Sequence, residues 1–177
     1  MGNFRWLGRA LRELGSPTSL VEVGCGDGRF ISQLAARGWK DLTAVDLAPP
    51  PPDLPENVTW LQQDVSSALA GTRGGILVAN LFWHHFSDDQ LAAVADEVAR
   101  FDRIVLSEPH RSRWGLALGV TTVPFINHVT RHDLFVSVRA GFRAGELPEL
   151  WRLRDHEFQF RESRSPLGAY RLIAWRN

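Results

Sequence analysis

Closely spaced glycines follow a short apolar run in Val21-Glu22-Val23-Gly24-Cys25-Gly26-Asp27-Gly28. Glycines at this spacing let the chain turn sharply and let a ligand reach main-chain atoms that side chains would otherwise block. The alternative is an ordinary strand-to-helix turn. A dinucleotide fingerprint asks for Gly-x-Gly-x-x-Gly; here Arg29 follows Gly28, so the third glycine falls one residue early, which disfavours a nucleotide-dependent oxidoreductase. Cys25 lies inside the loop with no paired base in view and reads as a spacer rather than a nucleophile. Asp46 closes the next apolar run, where a carboxylate is placed to accept hydrogen bonds from both hydroxyls of a ribose. A solvated strand-end aspartate or a helix cap is the other reading of Asp46.

These residues need rigid elements beneath them, and the chain provides an alternating set. Phe4, Leu7, Leu11 and Leu14 fall at helical spacing, which predicts an amphipathic helix over 4–14. Residues 19–23, 42–46, 58–62, 75–80 and 103–107 read as five strands, with helices over 27–37 and 91–101. The Pro49 to Pro55 cluster can join neither a ladder nor a helix interior and reads as a stiff surface loop. Alternating strands and helices with apolar strands imply an α/β fold, a mostly parallel sheet covered by helices on both faces, with ligands beyond the strands' carboxyl ends. Near the end, residues 157–161 and 170–175 flank Ser165-Pro166-Leu167-Gly168 and read as an antiparallel hairpin that brings the sheet to seven strands.

Composition narrows the field. A chain of 177 residues, 44% hydrophobic, buries one sizeable core, and a single domain over 1–177 is expected. Twenty basic and 20 acidic residues give a formal charge of zero, so sequence-independent nucleic-acid binding is disfavoured. The lone cysteine cannot form an internal disulfide, and Met1-Gly2-Asn3-Phe4-Arg5 leads into a polar amphipathic stretch rather than a signal peptide's apolar run, so a cytoplasmic protein is expected. The most apolar stretch, Trp114 to Ile126, falls short of the roughly 20 residues a bilayer span needs, and no membrane partner is expected. One cysteine and scattered histidines lack the grouping of a zinc or calcium site, so no metal is expected. The seven tryptophans read as core fillers.

The glycine loop with Glu22 two places ahead of it resembles motif I of class I methyltransferases, which use S-adenosylmethionine. The resemblance continues through Asn80-Leu81-Phe82-Trp83-His84-His85-Phe86-Ser87-Asp88-Asp89-Gln90-Leu91, then Ser107 to Ser112, then His132 to Arg139. These segments are similar to a group of small bacterial methyltransferases, type 11/12-like and related to the ubiquinone and menaquinone enzymes. The similarity spans about Leu20 to Leu150. It implies a Rossmann-like methyltransferase fold, S-adenosyl-L-methionine as cofactor and a small-molecule acceptor, aromatic or phenolic, methylated on oxygen or carbon by a monomer or homodimer. It also implies roles for residues: Glu22, Gly24, Cys25, Gly26 and Gly28 around the methionine part of the cofactor, and Leu47 beside Asp46 in the cofactor-binding set. Asp64 corresponds to the position that meets the adenine amino group, or caps the helix after it; the amide of Val65 meets the ring, and Asn80 lines the cofactor near the transferring methyl. The stretch from Arg111 to Asn127 corresponds to a cover for the acceptor pocket, or is core or a dimer face. One departure is Glu108-Pro109, where the group has Asp-Leu, so no acceptor preference is copied.

Methyl transfer needs little beyond geometry, because the sulfonium is already a good leaving group. A phenolic acceptor must lose its proton, and histidine titrates in the right range. Of six histidines, His84 and His85 follow the fourth strand and His110 follows the fifth, so these three are the candidate bases, ahead of His128, His132 and Asp133. The structural alternative, a satisfied core histidine, holds for each. Enzymes that methylate exocyclic nitrogens of nucleobases carry Asn/Asp-Pro-Pro-aromatic after the fourth strand; this chain has Asn80-Leu81-Phe82-Trp83, which disfavours a nucleic-acid acceptor. A module that binds the cofactor without transferring its methyl is the remaining alternative.

Overall fold

Apolar runs of four to seven residues line up as strands, and the central ones, covered on both faces, bury nearly every side chain. In the computed structural model, which describes residues 2–15, 19–111, 140–166 and 168–176, these runs are β1 (Leu20–Val23), β2 (Leu42–Asp46), β3 (Val58–Gln62), β4 (Ile76–Asn80) and β5 (Arg103–Pro109). They pair in parallel, and β6 (Gln159–Arg164) and β7 (Ala169–Trp175) complete a sheet of order β3-β2-β1-β4-β5-β7-β6. The last two strands are antiparallel, β7 lying between β5 and β6. The strand order reverses beside β1, between β2 and β4, and the crevice at the carboxyl ends there is where a doubly wound sheet binds ligands.

Helices cover both faces, as expected. On one face α1 (Gly2–Glu13) and α2 (Arg29–Ala35) supply Leu7, Leu11, Phe30, Ile31 and Leu34 to a core with Leu20, Ala44, Val78 and Val105. On the other, α3 (Val65–Ala70), α4 (Asp88–Ala93), α5 (Ala95–Val98) and α6 (Glu146–Leu150) pack with Val23, Leu77, Ile104 and Leu106. Trp83 and Trp151 are fully buried there, edge to face at 5.1 Å between ring centres, which confirms a core role for two of the tryptophans.

Among the boundaries that differ from the sequence reading, three have a clear local reason. The helix expected over 27–37 starts only at Arg29 because Gly28, at φ 68°, is left-handed and cannot join a right-handed helix. The single helix expected over 91–101 is two, since Val94 leaves helical geometry at φ −98° and ψ 7°. The hairpin's first strand begins at Gln159 rather than Glu157, which sits at φ 61°. At the start of α4, Ser87 and Gln90 form a reciprocal capping box: the Ser87 side chain accepts from the Gln90 amide and the Gln90 side chain from the Ser87 amide. Ser87→Ala is expected to cost about 1 kcal/mol in urea denaturation. An unchanged midpoint would show that the box adds nothing. Among the described residues, no helix is long and apolar enough to cross a membrane.

Candidate cofactor and acceptor site

The loop after β1 is built on three left-handed glycines, Gly24 (φ 66°), Gly26 (φ 55°) and Gly28 (φ 68°), a run that other residues adopt only at a cost. A side chain at Gly24 would also overlap the Phe82 ring, coming 2.5 Å from Cγ and 2.8 Å from Cβ. The Asp46 carboxylate at the end of β2 ties the loop down: Oδ2 accepts from the Gly26 amide at 2.7 Å and Oδ1 from the Ala48 amide at 2.9 Å. The Gly24 amide donates to the Val45 carbonyl at 2.9 Å. The loop is therefore held from the neighbouring strand before any ligand arrives. Cys25 is buried with its thiol directed to the Val45 carbonyl, and burial pushes that thiol well above its usual range, so it is no thiolate nucleophile.

Glu22 lies beneath the loop, 3% exposed. Burial, joined by the negative charges of Asp27 and Asp46, raises its carboxyl from 4.5 to about 8. Its Oε2 is buried without a hydrogen-bond partner. The folded chain thus holds this proton more tightly than the unfolded chain does. Between pH 4.5 and about 8 the folded form carries more protons, so Glu22 lowers stability progressively as pH rises, and the cost is complete above about 8. Glu22→Gln is expected to match the native protein near pH 4.5 and to exceed its stability by an amount on the order of a few kcal/mol above pH 8 in urea denaturation. Parallel stability curves for the two proteins would refute a buried, raised carboxyl.

Beside the loop, Val45, Asp46, Leu47, Gln63, Asp64, Val65, Phe82 and Phe86 enclose a cavity of about 100 Å³. That is less than a whole drug-sized ligand occupies, so it fits one flat ring with the rest of the ligand over the glycines. Four of the expected cofactor residues, Asp46, Leu47, Asp64 and Val65, meet here, with Leu47 72% exposed on the rim. Asp64 caps α3: Oδ1 accepts from the Ser66 amide at 2.8 Å and the Ser66 hydroxyl at 2.5 Å, and these bonds hold its carboxyl below the usual range. Asn80 ends β4 opposite Ser107 of β5, with its Oδ1 buried and without a partner. Larger clefts exist, among them one of about 480 Å³ lined by Glu13, Arg103, Arg161 and Trp175, but it opens at the amino end of β5, away from the glycine loop.

The three candidate histidines do not share one environment. After β4 the chain turns at Leu81, which carries φ 57° and donates its amide to the Ser107 carbonyl at 2.8 Å. A short 3-10 helix, Trp83–His85, follows, and it turns His84 inward and leaves His85 exposed. His84 Nδ1 lies 2.8 Å from Oε2 of the fully buried Glu108. The His85 ring stacks 4.0 Å from that of His84, and partial burial, then the neighbouring imidazole, lowers its basicity. His110, beyond β5, is buried, bridged to Phe142 and held by its amide to the Gly168 carbonyl at 2.8 Å. Burial, then Arg164 and Arg143, lowers its basicity too. Glu108 was not among the expected site residues. The one signal for it was the acid standing where the resemblance calls for Asp-Leu. Of the stretch expected to cover the acceptor, only Arg111 is described, paired with Glu146; the rest of it, with His128, His132 and Asp133, lies outside the described residues.

Residues 20–103 match a family described as a methyltransferase domain. No curated protein matches the chain in sequence. Among solved structures, the plantazolicin methyltransferase BpumL in complex with SAH (S-adenosylhomocysteine) aligns at TM-score 0.79 and 12% identity, covering 98% of this chain and 82% of that one. The magnesium protoporphyrin IX methyltransferase ChlM from Synechocystis PCC 6803, with bound SAH, aligns at TM-score 0.60 and 17% identity, covering 98% and 81%. The methyltransferase domain of bacterial CtHen1-CN aligns at TM-score 0.66 and 15% identity, covering 98% and 97%. At these identities the structural likeness concerns the fold, and it extends over nearly the whole chain. Residues 20–103 are thus similar to a methyltransferase domain, and the sheet built around them has the Rossmann-like methyltransferase fold of these structures.

Proposed function

We propose that this protein transfers a methyl group from S-adenosylmethionine to a small-molecule acceptor, aromatic or phenolic, on oxygen or carbon, and that residues 1–177 act as one domain. The observation that carries the reading is the Asp46 carboxylate bound to the Gly26 amide, which joins a left-handed glycine loop to the end of β2. The residues fit the cofactor. Positive φ at Gly24, Gly26 and Gly28 leaves backbone open to the methionine part, and the buried Oε2 of Glu22 beneath them is a polar atom without a hydrogen-bond partner. Asp46 and Leu47 are assigned to the ribose end and Asp64 with the Val65 amide to the adenine; Asp64 has its Oδ2 left for that contact, since its cap uses Oδ1. Asn80 is assigned to the cofactor near the transferring methyl, and His84, His85 and His110 to the acceptor side. When bound, the cofactor supplies an electrophilic methyl on a positively charged sulfur; the protein aligns the acceptor and removes its proton.

Small acceptors are supported by two of the structural neighbours, which are a plantazolicin methyltransferase solved with desmethylPZN analogs and a magnesium protoporphyrin IX methyltransferase. The balanced formal charge argues against nucleic acid as the acceptor. Incubation with S-adenosylmethionine and a panel of phenols, quinone precursors and small acids, read by mass spectrometry, is expected to show acceptors heavier by one methyl replacing one hydrogen. Tight binding of the cofactor with no methylated product across the panel would instead favour the non-transferring binding module.

A further inference from the structure

One carboxylate organises the whole turn after β4. Glu108 is fully buried at the end of β5; its Oε1 accepts from the amides of Phe82 and Trp83, each at 3.0 Å, and its Oε2 meets Nδ1 of His84 at 2.8 Å. Two backbone N–H groups already donate to one oxygen, which sets this carboxyl group up as an acceptor toward the turn. With Glu108 accepting at Oε2 as it does at Oε1, Nδ1 of His84 is the donor and the lone pair is on Nε2, the nitrogen turned away from Glu108. The same turn sets the Phe82 ring against Gly24, so the imidazole is fixed relative to the glycine loop itself. A carboxylate that fixes an imidazole in one tautomer is the arrangement that lets a histidine act as a general base.

We propose that Glu108 is the positioning residue that locks His84 in its Nδ1–H tautomer, making Nε2 the base for an acceptor with a proton to lose, a hydroxyl or an acidic C–H. The proposal rests on the methyl-transfer reading above and narrows it. In the step, the acceptor's proton moves to Nε2. The electron pair that held it forms the new bond to the methyl carbon, and the pair of the broken carbon–sulfur bond remains on sulfur. The resulting imidazolium faces the Glu108 carboxylate, which offsets its charge. His85, stacked on His84 but exposed and outside this hydrogen bond, is not the positioned base.

Glu108→Gln separates this role from a structural one. Glutamine keeps an oxygen for the amides of Phe82 and Trp83 but turns an NH2 group toward Nδ1, a donor facing a donor. The ring relieves this by carrying its proton on Nε2, which removes the base. Long-range 1H–15N NMR on histidine-labelled protein, with His84 assigned through His84→Gln, is expected to show the Nδ1–H tautomer in the native protein and Nε2–H in Glu108→Gln. S-adenosylhomocysteine affinity, measured by calorimetry, should be the same in both. Transfer to a hydroxyl acceptor should fall about 10²- to 10⁴-fold in kcat with little change in KM, and the double variant should be no slower than either single one. A native His84 that is Nε2–H, doubly protonated or averaged between tautomers would overturn the proposal, as would a tautomer indifferent to Glu108→Gln. The native spectrum decides even if the variant does not fold. Failure of the native protein to bind S-adenosylhomocysteine would instead strike the cofactor reading and leave the tautomer result to stand separately.

Discussion

Asp46→Ala is expected to weaken binding of S-adenosylhomocysteine by at least about 100-fold in calorimetry while the protein remains folded. The size follows from two charge-assisted hydrogen bonds to the ribose hydroxyls, each worth roughly 1.5 to 3 kcal/mol. The structure adds a second reason for the loss. Asp46 also accepts from the amides of Gly26 and Ala48, so its removal frees the loop that the ligand must meet in one conformation. Asp46→Asn separates the two contributions, because an amide oxygen keeps one of these backbone bonds and loses the charge. Its affinity should fall between the native protein and Asp46→Ala. Unchanged affinity in both variants would refute the ribose assignment.

Gly24→Ala is expected to be the more damaging to stability. Alanine at φ 66° costs roughly 1–2 kcal/mol on backbone grounds alone. Its methyl group would also sit inside the Phe82 ring, 2.5 Å from Cγ, and overpacking of this kind typically costs about 1–3 kcal/mol. Phe82 cannot withdraw freely, since its amide is held at 3.0 Å by the buried Glu108 carboxylate. A loss of about 2–5 kcal/mol is therefore expected in urea denaturation, together with loss of cofactor binding. Gly26→Ala makes the comparison sharper, because a side chain there meets nothing within 4 Å and bears only the backbone cost at φ 55°. Equal losses for the two variants would show that Phe82 does not pack on Gly24.

The parts of this molecule that could be read from its sequence are those written in short-range patterns. Apolar runs such as Ile76 to Asn80 are strands because they are buried on both faces, and the glycines of 24–28 mark left-handed turns that few other residues adopt. The cap at Asp64 was also visible as one of two readings, since a carboxylate two residues ahead of Ser66 is a local arrangement. Long-range pairings were not visible. Glu108 meets Phe82, Trp83 and His84 across 24 to 26 residues of chain, and no local pattern in Ser107-Glu108-Pro109 announces them. The division between His84 and His85 was hidden for a related reason. Adjacent residues on a 3-10 turn point in different directions, and only the packed turn reveals which one faces the carboxylate.

Backbone bared by Gly24, Gly26 and Gly28 and braced by the Asp46 carboxylate is the proposed cradle for an adenosyl group joined through sulfur to an amino acid. Isothermal calorimetry of the native protein against S-adenosylhomocysteine, with NAD titrated in parallel, tests it most directly. Saturable binding of one S-adenosylhomocysteine per chain, and none of NAD, is expected. A flat titration with S-adenosylhomocysteine, or binding of NAD in its place, would contradict it.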